Sequence, residues 1–303
     1  MRASLIQIAV NEDESVDSRR QRAAALVRQQ AGADLVVLPE LWTTGAFAYE
    51  EFGPEAEPLE GPTYETMAKA ASDAGVWLHA GSIPERAVSG TGSATADGPL
   101  YNTSLVFSPS GELAAVYRKI HRFGFDKGEA VLMGAGRDLV TVRLPGTTLG
   151  VATCYDLRFP ELFRSLVDAG AETLVIPAGW PERRRAHWTL LAQARAVENQ
   201  AFVLACGTAG THAGVPQAGH SIVVDPWGEV LAEAGPDEEV LTVDFDPAKV
   251  ATTREQFPAL KDRVLGLEPP QRQGLPASGI GPGSLSGPPA PSAPGGSHTP
   301  PPR

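Results

Sequence analysis

Apolar residues along this 303-residue chain fall in short runs separated by longer amphipathic stretches. Ser4–Val10 is apolar with one polar break and predicts a first strand, and Ser15–Gln30 has the charge and alanine content of a helix. After Gly32-Ala33-Asp34, the run Leu35-Val36-Val37-Leu38 is wholly apolar, as expected of a strand buried on both faces of a helix-covered sheet. A second helix fits Pro62–Ala74, stopped by Gly75 before a strand at Val76–Gly81. Tyr101–Phe107 and Leu113–Tyr117 flank the turn sequence Ser108-Pro109-Ser110-Gly111 and predict a hairpin. Further strands are expected at Leu139–Leu144, Leu149–Thr153, Thr173–Ile176, Ala201–Cys206, Ser221–Val224 and Val240–Phe245. Helices fit Glu161–Ala169, with Pro160 at the first position, and Arg185–Asn199.

One segment echoes another. Gly32-Ala-Asp-Leu-Val-Val-Leu-Pro39 returns in outline as Gly170-Ala-Glu-Thr-Leu-Val-Ile-Pro177, which suggests two helix-covered sheets packed face to face. The C-terminal segment is different: 11 of the 27 prolines lie in residues 269–303, among Gly, Ser and Ala. Such a stretch has too little apolar surface to offset its ordering entropy. The chain therefore divides into a globular body, 1–267, and a tail expected to be disordered, 268–303.

Charge and cysteine usage narrow the function. With 36 acidic and 25 basic residues, the net charge of −11 argues against nucleic acid or an anionic membrane as partner. Runs such as Leu35–Leu38 and Phe202–Cys206 are far too short to cross a bilayer, and the N-terminus does not have the form of a signal peptide. Two cysteines, Cys154 and Cys206, exclude a disulfide scaffold and speak against a cysteine zinc cluster. A soluble, cytoplasmic protein is expected.

Cys206 sits in the apolar run Phe202-Val-Leu-Ala-Cys and reads as a core residue. Cys154 closes another such run but is followed by Tyr155, Asp156 and Arg158, where a plain core strand would stay apolar. A nucleophile on a strand-to-helix turn is held rigidly near backbone N–H groups that can stabilise an oxyanion. It needs a base, since an unperturbed thiol titrates at about 8.5. None of the six histidines stands in a recognisable catalytic or metal-binding context, and the common nucleotide-binding glycine motifs are absent. Charged residues at strand ends remain: Glu40 after Leu35–Pro39 and Lys119 after Leu113–Tyr117. Each alone is an ordinary solvated charge. With Cys154 they make a base, a cation and a nucleophile.

Leu-Pro-Glu40, Tyr117-Arg-Lys119-Ile-His and Cys154-Tyr-Asp-Leu-Arg-Phe-Pro-Glu161 resemble, in order, the three signature blocks of the nitrilase, or carbon–nitrogen hydrolase, superfamily. The resemblance implies an α/β fold, the four-layer α-β-β-α sandwich, and a homodimer or higher homo-oligomer. It implies a catalytic triad of Glu40, Lys119 and Cys154, with the backbone N–H of Tyr155 as an oxyanion donor. It also implies an assisting glutamate after the lysine block. Phe125-Asp-Lys-Gly-Glu129 resembles that element, and the other reading of Glu129 is an exposed loop acid. Tyr101-Asn102-Thr103 resembles the family's strand opening before the hairpin, Arg195-Ala-Val-Glu198-Asn199 its supporting helix, and Trp180 a pocket wall. No metal or organic cofactor is implied.

The nucleophile block resembles the omega-amidase and deaminated-glutathione amidase group, whereas nitrilases proper carry Cys-Trp-Glu. The implied reaction is hydrolysis of a small-molecule amide through a thioester, with release of ammonia. Omega-amidases act on 2-oxo dicarboxylic acid monoamides such as 2-oxoglutaramate. The free carboxylate of such a substrate needs a cation, and Arg183, Arg184 and Arg185 follow Trp180. A deaminated-glutathione amidase, an N-carbamoyl amino-acid hydrolase, and a binding module that keeps the triad by descent are the alternatives.

Overall fold

Alternation of side chains along the strands sorts the core into three apolar layers. In the computed structural model, which describes residues 1–87 and 98–266, Leu35 and Val37 point into one cluster and Val36 into another. Val175 joins the first cluster, while Leu174 and Ile176 join a third. The shared cluster lies between two six-stranded mixed sheets. One sheet runs in the order Glu239–Asp244, Arg2–Gln7, Leu35–Val37, Trp77–Arg86, Leu100–Phe107, Leu113–Arg118. The other runs Val230–Glu233, Ile222–Val224, Phe202–Gly207, Thr173–Ala178, Thr147–Val151, Thr141–Leu144.

The outer clusters join each sheet to its helices. Val16–Arg28 and Pro62–Ala74 cover the first sheet, and Pro160–Asp168 and Arg185–Asn199 the second. The result is the expected four-layer α-β-β-α arrangement. The echoed segments are structurally equivalent: Leu35–Val37 and Thr173–Ala178 each pair in parallel with both neighbours. Cys206 faces the inter-sheet core, fully buried, with its Sγ 3.4 Å from the Val37 carbonyl.

Several elements differ from expectation for local reasons. The apolar run Ser4–Val10 splits at Gln7, whose buried amide donates to the carbonyls of Gly235 and Asp237. Beyond it Ala9–Val10 leaves the sheet and pairs with Ala209–His212 in a small three-stranded sheet. The strand expected to end at Gly81 runs on to Arg86 through a register shift. Gly81 has φ +66°, and a Cβ there would lie 1.9 Å from the Pro39 carbonyl oxygen. This approach lets Ser82 N–H donate to Pro39 O (3.2 Å) and Ser82 Oγ accept from Leu41 N–H (3.0 Å), so the bulge grips both sides of Glu40.

Residues Met1–Asp262 form one compact unit, and a second begins at Arg263. Of the second, residues 263–266 are described and carry neither helix nor strand. The expected tail, 268–303, lies outside the described residues. Among the described residues no helix is long and apolar enough to cross a membrane.

Candidate active site

Strand ends from both sheets converge on one buried cluster. Glu40 follows Leu35–Val37, Lys119 follows Leu113–Arg118, and Cys154 follows Thr147–Val151. Glu129 opens the short helix Glu129–Leu132 and is 3 % exposed, which excludes its reading as an exposed loop acid. The Lys119 ammonium donates to Glu40 Oε1 (2.6 Å) and to Glu129 Oε2 (2.7 Å). Asn102 Nδ2 donates to Glu40 Oε1 (2.8 Å) and also to Glu129 Oε1. Glu40 Oε2 accepts from Gly179 N–H (2.9 Å), and Cys154 Sγ lies 3.8 Å from the Gly179 carbonyl oxygen. Gly179 must be glycine, because a Cβ there would lie 2.3 Å from Ala46 Cβ.

Cys154 begins a 3-10 turn, Cys154–Arg158, with φ +47°. A non-glycine residue in that region costs about 1–3 kcal/mol, so its surroundings must hold it there. Asp156, fully buried, does so from both oxygens. Oδ2 accepts from Thr153 N–H (2.9 Å) and from the Tyr117 hydroxyl (2.6 Å). Oδ1 accepts from His121 N–H (3.0 Å) and lies 2.7 Å from His121 Nδ1. The cysteine turn and the lysine loop are thus bound to one carboxylate. Tyr155, second in the turn, has no carbonyl within it for its N–H to meet.

The electrostatics assign distinct states. Burial alone would lower the Lys119 pKa, yet Glu129 and Glu40 hold it well above the ordinary range, so the ammonium stays charged. Burial pushes the Glu129 carboxyl up, against the pull of Lys119. Burial, and then the charge of Glu40, push the Cys154 thiol well above its ordinary value, so it rests protonated. This cluster can move a proton from sulfur to carboxylate and hold an anion beside a fixed cation.

Above the cluster opens a cleft walled by Phe47, Phe123, Tyr155 and Trp180, with the side chains of Arg158 and Arg184. The Arg158 guanidinium stands 4.8 Å over the Trp180 ring and that of Arg184 5.5 Å over Phe123. Of the three consecutive arginines only Arg184 lines the cleft. Arg183 is exposed outside its lining, and Arg185 pairs with Glu233 at 2.9 Å. Arg158 and Asn102 lie in segments that the sequence singles out, but neither is assigned there to the site. Arg158 lies within the nucleophile block and closes its 3-10 turn, and Asn102 is a buried amide in the strand Leu100–Phe107.

A carbon–nitrogen hydrolase family model matches residues 2–255, nearly all of the described body. The chain belongs to that family. It is an enzyme that hydrolyses carbon–nitrogen bonds, an amidase by its relatives. It is 42 % identical over 265 residues to a 2-oxoglutaramate amidase of Paenarthrobacter nicotinovorans, covering 85 % of this chain and 87 % of that protein. It is 36 % identical over 276 residues to the omega-amidase of Mus musculus, covering 88 % and 96 %. Among solved structures it resembles a Xanthomonas campestris superfamily protein with an arsenic adduct in the active site. The TM-score is 0.78 and the identity 31 %, over 87 % of this chain and 97 % of that one.

Proposed function

We propose that this carbon–nitrogen hydrolase is an omega-amidase, releasing ammonia from the terminal amide of a 2-oxo dicarboxylic acid monoamide such as 2-oxoglutaramate. The similarity to a 2-oxoglutaramate amidase supports the reading. The observation that carries it is the pair of guanidiniums, Arg158 and Arg184, in the wall of the cleft above Cys154. Guanidinium recognises carboxylate through paired charge-assisted hydrogen bonds, which fixes an acid amide with its far end over the nucleophile. Arg183 and Arg185 have no part in this reading.

The chemistry follows from the resting states. Because the thiol rests protonated, attack and proton transfer go together: Cys154 Sγ adds to the amide carbonyl as Glu40 takes its proton. The oxyanion is held by the Lys119 ammonium and the Tyr155 N–H. Glu40 returns the proton to the amide nitrogen, the C–N bond breaks, and ammonia leaves a thioester. Glu40 then takes a proton from water as it adds to the thioester. Collapse frees the carboxylic acid, and the thiol regains its proton. Glu129 assists by holding Lys119 and orienting the substrate. The same reading makes the protein a homodimer in the cytoplasm.

Ammonia release tests it, with 2-oxoglutaramate, a neutral aliphatic amide, a nitrile and an N-carbamoyl amino acid assayed side by side. The acid amide should be turned over fastest. Arg158→Gln or Arg184→Gln should raise KM for it by about tenfold or more, with the neutral amide little affected. Cys154→Ala should abolish turnover while Cys206→Ala retains it. Preference for the nitrile or the carbamoyl compound would overturn the substrate reading.

A further inference from the structure

Asn102 occupies a position that the scheme above leaves unused. Its side-chain amide lies between the two buried carboxylates and donates one N–H to Glu40 Oε1 (2.8 Å) and the other to Glu129 Oε1. Lys119 bridges the same two carboxylates from its own side, at 2.6 and 2.7 Å. The Asn102 carbonyl oxygen accepts the Lys119 N–H (2.9 Å), so one residue fixes the backbone of the lysine and both of its acidic partners.

The two bridges differ in charge, and this matters for the base. Two carboxylates against one ammonium leave the cluster one negative charge in excess. A second cation in place of Asn102 would cancel that charge and weaken Glu40 as an acceptor for the thiol proton. With Lys119 as their sole bridge, the oxygens freed of Asn102 would tend to share a proton between the two carboxylates, and a protonated Glu40 cannot act as base. A neutral amide with two N–H groups avoids both outcomes. Each oxygen that accepts from Asn102 is directed at a donor and not at the other carboxylate.

We propose that Asn102 is a positioning residue for the hydrolysis, setting the spacing of Glu40 and Glu129 and keeping Glu40 free of a shared proton. The inference rests on the assignment of Glu40 as base to Cys154. Donated hydrogen bonds favour the ionised carboxylates, so their removal raises the pKa at which the pair takes up a proton. The acidic limb of kcat/KM then moves to higher pH. The other charged and titratable groups facing the pair are Lys119, Cys154 and Tyr49, with Arg158 and Arg184 in the cleft. The backbone N–H groups of Gly179 and Phe123 donate to Glu40 and Glu129 respectively. All of them stay in place in an Asn102 variant.

The test uses Asn102→Ala and the isosteric Asn102→Asp in the full chain, each checked for folding by circular dichroism and melting. Both should fold, lose about 100-fold in kcat with KM changed by roughly threefold or less, and shift the acidic limb upward by about one pH unit. Folded variants with an unmoved acidic limb would overturn the proposal, whatever their kcat. Failure of both to fold would also count against it, by making Asn102 a residue of the fold alone. Cys154→Ala run in parallel separates the two levels. An active Cys154→Ala rejects the nucleophile assignment itself, whereas an inactive one beside an unshifted Asn102 profile rejects only the role of Asn102.

Discussion

His79 sits two residues before the Gly81 bulge, fully buried, with Nδ1 accepting the Gly81 N–H at 3.2 Å. A ring accepting there carries its proton on Nε2 and is neutral. Burial holds its pKa down at about 4, and that of His212, which accepts from Ala46 N–H, at about 3. Both histidines therefore act as neutral acceptors for the backbone around the site. In the unfolded chain each titrates near its ordinary value of about 6.5. Between the two values the unfolded state binds the proton and the folded state does not, so stability is lost as pH falls from about 6.5 towards 4. For His79 alone this amounts to about 2 kcal/mol between pH 7.5 and 5. Asparagine would keep an acceptor for Gly81 and remove the titration. Denaturant unfolding of His79→Asn should show a fall about 2 kcal/mol smaller than the wild type over that range. Equal falls in the two proteins would mean that the His79 ring is not held neutral.

At the scale of elements, Asp156 joins two segments that belong to different sheets, the cysteine turn and the lysine loop. Its carboxylate meets donors at both oxygens, and His121 stacks on Phe159 at 3.7 Å beside it. Asp156→Asn replaces one acceptor oxygen by a donor, so either the His121 N–H or the Thr153 N–H and Tyr117 hydroxyl lose their acceptor, according to which way the amide turns. An unsatisfied buried donor costs about 1–3 kcal/mol, and the strained backbone of Cys154 loses its hold. Urea unfolding should show a loss of about 2 kcal/mol or more, and alkylation of Cys154 should slow at fixed pH. A variant as stable and as reactive as the wild type would deny Asp156 this role. The sequence made the strand ends that present Glu40, Lys119 and Cys154 legible, because buried strands announce themselves by unbroken apolar runs. It also placed Pro62–Ala74 and Arg185–Asn199 at their observed limits. What escaped was set by contacts distant in the chain. Ala209–His212 pairs over its first half with the distant Ala9–Val10 and over its second with Val215–Pro216, and Lys249–Gln256 buries only Val250 and Thr253. Arg183–Arg185 drew attention as a run of charge, yet the turn of the chain after Trp180 brings only the middle one to the cleft. Which charge faces a ligand depends on that turn, and local pattern does not encode it.

Across the whole molecule, the helix Arg185–Asn199 carries a feature that its own sheet does not absorb. Its inner face packs Trp188, Ala192 and Ala196 into the core, while Leu190 and Val197, seven residues apart on the outer side, are 65 % and 51 % exposed. Val197 lies against Gly228, next to Trp227, and Trp227 meets Phe257 with ring centroids 6.2 Å apart. Trp227 and Phe257 are themselves 45 % and 58 % exposed, so the strip continues from the helix onto the neighbouring loops. Exposed apolar residues gathered on one side of the molecule mark an interaction site more often than a free face. A second copy of the chain is the partner that the homodimer reading supplies, and a two-fold pairing would set this strip against itself. Charge is the sharpest way to break such a contact, since an unpaired carboxylate there would have to be desolvated on both sides of the axis. Leu190→Asp combined with Val197→Asp should leave the fold intact, because both side chains already face water in the single chain. By sedimentation velocity at micromolar concentration the wild type should run as a dimer and the double variant as a monomer. A wild type that sediments as a monomer would refute the dimer. An unchanged dimer in the double variant would move the interface elsewhere on the surface.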